Sequence, residues 1–239
     1  MADADAPAKR SDLPVRLASA IVMAAVAGGA VWAGGLVFSL FLLALAGGLI
    51  WEWWGLVSRI AKSPFGLIGA MLLGVGYIGW ALKVVHWLWV APHANSFAAF
   101  LFVVTAVMVV GVDVGAYFTG RTFGGPKIAP RISPSKTWSG LLGGMLGASL
   151  IGLGAISFRS TAPDLWKLQI LAVIFAILVA VIAQSGDFLE SWMKRKAGVK
   201  DSGTLIPGHG GLLDRLDGHL MVFALLPFVV GLLHAAPWL

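Results

Sequence analysis

The chain has 239 residues, 59% of them hydrophobic and only 12% charged, with a mean hydropathy of +0.89. Soluble domains average roughly 25% charged residues, so this chain has too few charges to coat one and most of it belongs in a bilayer. It has no cysteine, which excludes disulfides, thiolate metal sites and cysteine nucleophiles. Its net charge of +6 fits loops at anionic lipid headgroups and does not call for nucleic acid.

Residues 1–13 are polar, with Asp3, Asp5, Lys9, Arg10 and Asp12, and read as a short cytoplasmic tail. Lys9, Arg10 and Arg16 before an apolar run also fit a signal peptide. The run continues to Ala33, about the 20 residues a bilayer requires, and favours an uncleaved first span. Gly34 and Gly35 make the turn into a second span, Leu36–Val57. Arg59 and Lys62 mark a cytoplasmic loop. A third span covers Phe65–Val90, where Gly74, Gly76 and Gly79 offer a break or a close-packing face. Pro92 to Asn95 form an outer turn. A fourth span, Ser96–Phe118, leads into a basic loop with Arg121, Lys127, Arg131 and Lys136. The fifth span is Leu141–Phe158, the sixth Leu168–Leu189 and the seventh His219–Ala236, with Arg159 to Lys167 as an outer loop.

With the N-terminus inside, cytoplasmic segments hold fourteen of the seventeen Lys and Arg residues. The expected fold is an all-α polytopic membrane bundle of seven helices, or eight if the third is broken, with its catalytic loops in the cytoplasm. Helices in 14–90 form an N-terminal group, and 96–239 carries the chemistry. Gly140, Gly143, Gly144 and Gly147 predict close helix packing, and the eleven tryptophans suit interfacial belts.

Against this apolar background, Gln184–Gly218 stands out. It holds Asp187, Glu190, Asp201, Asp214 and Asp217, five of the eleven acids, together with Lys194, Arg195, Lys196, Lys200 and Arg215. Carboxylates, cations and a glycine-rich backbone suit a divalent metal and a polyphosphate. On a helix, Asp187, Glu190, Ser191 and Lys194 share one face. Asp187 and Asp214 each sit where a span meets the loop, which makes them the first choice as metal ligands. Lys194, Arg195, Lys200 and Arg215 would neutralise phosphate charge, while Lys196 reads as a solvated cation. His209, between glycines, is open to two readings, a phosphate donor or a structural residue. Upstream, Asp113 is an acid inside a span and should face protein or water. Asp113, Tyr117 and Gly120 recur at helical spacing. Ser133, Lys136 and Thr137 are placed to form a phosphate-binding helix start, in which Ser133-Pro134 also reads as an ordinary cap and first-turn proline. Glu52, in Trp51-Glu52-Trp53-Trp54, reads as a snorkelling interfacial acid. His86, His93, His219 and His234 are scattered and are assigned to no metal.

These residues carry a resemblance. Ser191-x-Met193-Lys194-Arg195, Lys200-Asp201-x-Gly203, Pro207-x-His209-Gly210-Gly211 and Asp214-Arg215-x-Asp217 follow one another over 27 residues without a gap. Together they resemble the defining motif of the phosphatidate cytidylyltransferases. Asp113 to Arg121 and Ser133 to Thr137 resemble the family's upstream blocks, and Glu52-Trp53, favoured above as a snorkelling acid, also resembles a recurring Glu-Trp feature of its N-terminal half. Ser139 departs from the pattern, since many relatives carry Glu or Gln there. The resemblance implies transfer of CMP from CTP to phosphatidate in phospholipid biosynthesis, at the cytoplasmic face of a bacterial inner membrane. It implies Mg²⁺, with or without a monovalent cation such as K⁺, with Asp187 and Asp214 at the metal centre, and a homodimer. It assigns Lys194, Arg195, Lys200, Asp201, His209, Arg215 and Asp217 to catalysis. It assigns Asp113, Tyr117, Arg121, Ser133, Lys136, Thr137, Ser191, Gly210 and Gly211 to substrate binding. A CTP-dependent polyprenol kinase, or a cytidylyltransferase for another lipid phosphate, is the alternative within the same architecture. There is no P-loop, HExxH or GxSxG pattern, and no CDP-alcohol phosphatidyltransferase motif.

Overall fold

A computed structural model describes residues 13–90, 96–161 and 163–234. Residues 1–12 of the expected tail, the turn from Pro92 to Asn95, His93 and the end of the seventh span lie outside the described residues, while Leu13, the last residue of that tail, begins the first helix. The elements are α1 (Leu13–Ala33), α2 (Gly35–Ile60), α3 (Pro64–Val90), α4 (Ser96–Thr122), β1 (Lys127–Ala129), β2 (Ser133–Thr137), α5 (Trp138–Arg159), α6 (Leu165–Ala197) and α7 (Leu213–His234). All seven helices are long and apolar enough to cross a membrane, so the protein is an integral membrane protein. The third span is one helix, 27 residues long and unbroken at its glycines. Antiparallel alternation gathers the end of α2, the starts of α1, α3, α5 and α7, and the ends of α4 and α6 at one end of the bundle.

The glycines decide how closely these helices approach. On the α4–α5 seam, a Cβ at Gly115 would lie 2.2 Å from the Gly143 carbonyl oxygen, and one at Gly147 would lie 2.3 Å from that of Gly111. Such backbone contact is open only to glycine. Thr119 completes the seam, since its hydroxyl donates to the Gly115 and Ser139 carbonyls at 2.8 and 3.0 Å. The third-span glycines divide. Gly74 clears space for the Trp53 indole, whereas Gly76 and Gly79 have nothing within 4 Å and serve no packing contact. Gly147→Ala should therefore destabilise the bundle by about 1–3 kcal/mol through overpacking. Gly76→Ala should change stability by less than about 0.5 kcal/mol or raise it. Melting curves in detergent test the pair, and equal shifts would contradict this reading of the seam.

The tryptophans form more than an interfacial belt. Trp53 donates to the Ala70 carbonyl at 3.0 Å, Trp80 to that of Ala224 at 2.9 Å and Trp89 to that of Val31 at 3.0 Å. Each indole N–H joins two helices, α2 to α3, α3 to α7 and α3 to α1. A partly buried indole needs an acceptor, and a carbonyl on a neighbouring helix provides one.

One expectation about local structure is corrected. Ser133–Thr137 is not a helix start but strand β2, paired antiparallel with β1, Lys127 opposite Thr137 and Ala129 opposite Ser133. A proline at 134 is tolerated because the sheet has two strands and both are edges. Thr137 is the cap of α5, accepting from the Gly140 amide at 3.0 Å. The all-α expectation thus holds for every membrane-spanning element, with a small hairpin added where α4 turns into α5.

Candidate active site

The site is assembled at the bundle end where α6 finishes and α7 begins. Gly186 lets these helices cross tightly, and Gly218 lies on the same crossing with ordinary contact room. A Cβ on Gly186 would lie 2.4 Å from the Asp217 carbonyl oxygen, and one on Gly218 would lie 3.5 Å from Asp187 Oδ1. The crossing brings Asp187 and Asp217 into electrostatic contact. Asp113, exposed on α4, joins them, and Lys136 and Arg215 lie within reach of the same charge. Lys136 projects from β2 to form an ion pair with Asp187, bridging hairpin and helix across 51 positions of sequence. Three carboxylates from three helices thus share one region with two cations. Asp113 faces other charges, as an acid within a span should.

A second network stands beside the first. Lys194 Nζ lies 2.6 Å from Glu190 Oε2 and 2.7 Å from Asp214 Oδ1. The other oxygen of Asp214 accepts from the backbone amides of Ser202 at 2.9 Å and Gly211 at 2.8 Å. Asp214 therefore fixes the 198–212 loop against the end of α6, placed in the first turn of α7 where a carboxylate complements the helix dipole. The two acids expected to share a metal have different neighbours here. Asp187 sits with Lys136, Asp113 and Asp217, while Asp214 sits with Lys194, Glu190 and the loop, and Asp217 lies within electrostatic reach of Glu190 too, so the two networks adjoin.

The loop itself turns on Glu52. This side chain is only 2% exposed, although it comes from α2, about 150 residues away in sequence. It accepts from the amides of Leu212 at 2.9 Å and Leu213 at 2.8 Å and from the Ser202 hydroxyl at 3.1 Å. It is not a snorkelling acid but the cap of α7, satisfying N–H groups that a helix start leaves without partners. Gly203 and Gly211 of the motif now have a steric reason. Their added Cβ atoms would lie 2.4 and 2.5 Å from the Glu52 carboxylate oxygens. Gly211→Ala should therefore expel Glu52 from its cap and remove most activity, with melting lowered by about 1–3 kcal/mol. A wild-type melting point for that variant would show that the cap is not sterically enforced.

Pro207 and Gly208 form the centre of a tight turn, closed by the His209 amide donating to the Ile206 carbonyl at 3.0 Å. Proline followed by a glycine with φ of 75° is the type II pattern. Gly210 also has positive φ, 84°. The His209 Nδ1 lies 2.7 Å from the Ser19 hydroxyl of α1, and its carbonyl accepts two N–H bonds from Arg215 at 2.9 and 3.2 Å. His209 thus has a structural part in holding this turn.

Other expected residues are distributed around the site. Arg195 leans on the hairpin, its Nε 3.5 Å from the Ile132 carbonyl. Ser133 is buried in β2 and Ser191 half-buried on α6. Thr137 meets Ser139, 3.1 Å away, and the Ser139 hydroxyl donates to the Gly124 carbonyl, so Ser139 helps close the loop between α4 and α5. Tyr117 is 57% exposed and accepts a hydrogen bond from Arg121 at 2.7 Å. These two pair with each other, Tyr117 one helical turn from Asp113 on α4, while Gly120 packs against Thr137 and Gly140. Lys200 and Asp201 line a cleft of about 590 Å³ with Arg59, Trp51 and Trp54, and Glu52, Ser202 and Gly203 of the loop network form part of its wall.

The donor set fits a hard divalent cation. No group of three His, Cys, Asp or Glu among the described residues could alone hold a metal ion. Magnesium does not require such a cage, because it binds one or two carboxylates and takes its remaining ligands from water and substrate phosphates. Asp187, with Asp217 beside it, meets that need. Asp187 would keep Lys136 on one oxygen, whereas Asp214 would have to release Lys194 or two backbone amides.

A phosphatidate cytidylyltransferase from Brucella suis is 36% identical over 269 aligned positions, covering 95% of this chain and 96% of the relative. Proteins of the same name from Rickettsia bellii and Pseudomonas aeruginosa are 34% and 35% identical, covering 94% and 78% of this chain. Residues 61–233 match the family described as "Cytidylyltransferase family". With its signature acids, cations and glycines gathered at one end of a seven-helix bundle, the chain belongs to the cytidylyltransferase family.

Proposed function

We propose that this enzyme transfers CMP from CTP to phosphatidate, giving CDP-diacylglycerol and pyrophosphate. The observation that carries the reading is the convergence of Lys136, Lys194 and Arg215 with the signature acids at the end of a bundle whose sides face lipid. A phosphate monoester on a lipid and a soluble nucleotide can meet only at such a boundary. The relatives named phosphatidate cytidylyltransferase support the substrate pair.

In the reaction a lipid phosphate oxygen attacks the α-phosphorus of CTP. The new O–Pα bond forms as the bond from Pα to the bridging oxygen of the β-phosphate breaks, and that electron pair leaves with pyrophosphate. The protein's part is positioning and charge neutralisation. Lys136, held by Asp187, and Arg215, held by the His209 carbonyl, present cations at fixed positions to groups that gain negative charge. Lys200 and Arg195 add positive charge at the rim. Asp214 and Glu52 keep the loop between them in one conformation. A magnesium ion at Asp187, with Asp217 adjacent, would supply charge neutralisation at the nucleotide phosphates. The positive-inside asymmetry supports a cytoplasmic active site in a bacterial inner membrane, where CTP is available. We take the homodimer implied by the family resemblance as part of the same reading.

Label transfer tests the reaction. With CTP labelled at the α-phosphorus, the label should enter the lipid. With CTP labelled at the γ-phosphorus, it should leave in pyrophosphate. Entry of the γ-label into lipid would instead indicate a CTP-dependent kinase.

A further inference from the structure

The bundle contains a cavity of about 450 Å³ between α1, α2, α3, α4 and α7. This volume lies within the range of about 300–1,000 Å³ typical of ligand pockets. Its walls are apolar, with Ala27, Leu42, Val85, Phe102 and Phe223 among them, and at the α7 start the lining includes Arg215 and His219. The origin of the cavity is visible in how α1 is held. Ala30 is the only buried residue among those described in α1. The helix is tied near one end by Ser19 to His209 at 2.7 Å and at the other by Trp89 to the Val31 carbonyl at 3.0 Å. Between these two polar ties α1 stands off the bundle, and the space behind it is not filled by side chains.

An apolar void of this size would leave its lining without dispersion partners and would not hold ordered water. Inside a bilayer the material at hand to fill it is hydrocarbon chain. The lining is apolar almost throughout, so Arg215 closes the cavity with its aliphatic stem, and the guanidinium beyond it selects which chain. Arg215 uses Nε and Nη2 on the His209 carbonyl. Of the five guanidinium donors, that leaves three for an anion. Arg215 also lies within electrostatic reach of Asp113, so the cavity adjoins the acid cluster. Resting on the proposed reaction, we infer that this cavity seats an acyl chain of the anionic lipid substrate, with its phosphate at Arg215 and its hydrocarbon behind α1. The site then recognises the lipid at both ends, by its phosphate charge and by its tail, and α1 is the wall past which the chain enters.

The test uses the full-length protein in nanodiscs with a phosphatidate carrying a photoactivatable diazirine in one acyl chain. Adducts mapped by mass spectrometry should concentrate on Met23, Ala27, Phe102 and Phe223. They should be lost in Ala27→Trp and in Met23→Trp, both of which fill the cavity, and retained in Ala25→Trp, which lies outside it. The same diazirine chain on a phosphocholine headgroup should not be enriched there. Ala27→Trp should also raise the KM for phosphatidate and leave that for CTP unchanged. Adducts scattered over outward-facing residues such as Leu17 and Leu36, labelling that survives both cavity-filling variants, or equal labelling by the phosphocholine probe would overturn the proposal. The labelling requires no turnover. Cavity labelling without pyrophosphate release would therefore leave the cavity assignment standing and remove the reaction, and the opposite pair of results would do the reverse.

Discussion

Replacing Glu52 with alanine is expected to abolish CDP-diacylglycerol synthesis and to lower stability by several kcal/mol, because a buried carboxylate that caps three donors is removed. The carboxylate is buried and satisfies two helix-start amides and the Ser202 hydroxyl. Its loss leaves those donors buried without acceptors, at about 1–3 kcal/mol each. The effect reaches the site because Ser202 also binds Asp214, which in turn binds Lys194. Glu52→Gln keeps one acceptor oxygen and should retain more stability than alanine while still losing activity. Thermal melts in detergent beside pyrophosphate release separate the two effects. A Glu52→Ala protein with wild-type activity would show that the loop holds its shape without the cap.

Lys194→Met should cost about as much and for a related reason. Lys194 is the single cation between Glu190 and Asp214, and Glu190 Oε1 has no hydrogen-bond partner in the described structure. Without the ammonium, two carboxylates face each other in a largely buried place, a loss of about 3–5 kcal/mol. Catalysis should fall by about 10²–10³-fold, the scale of removing one positioned electrostatic group. Adding Glu190→Gln to Lys194→Met removes the repulsion, so the double variant should melt higher than Lys194→Met alone and stay inactive. If the double variant melts no higher, the Lys194 network is not what joins α6 to the loop.

The spans were legible because each is an uninterrupted apolar run bounded by turn glycines or charges, and the α4–α5 seam was legible in the spacing of Gly140, Gly143, Gly144 and Gly147. The continuity of α3 was not, because a glycine that breaks a helix and one that admits a neighbouring tryptophan look alike in sequence. Gly74 is the second kind. The motif was legible as a list of residues but not as a geometry. Nothing local assigns Lys136 to Asp187, which is 51 positions away, or divides Asp187 and Asp214 between two networks. Glu52 was misread for the same reason. Its partners are about 150 positions distant, and an acid near the end of a span ordinarily snorkels. One signal was available in Gly203 and Gly211, which sit where something must approach the backbone. Phosphate was the natural candidate, and the structure places the Glu52 carboxylate there.

The most direct measurement is pyrophosphate release by the purified protein in detergent, with CTP, phosphatidate and magnesium, beside Asp187→Asn and Lys136→Ala. The account predicts release that requires both substrates and the metal, and that falls by at least about 10²-fold in each variant. Both variants should remain folded, because the Lys136–Asp187 pair is only partly buried. Undiminished release in either folded variant would contradict the placement of the reaction at this pair. No release from folded wild-type protein that binds CTP would contradict the reaction itself.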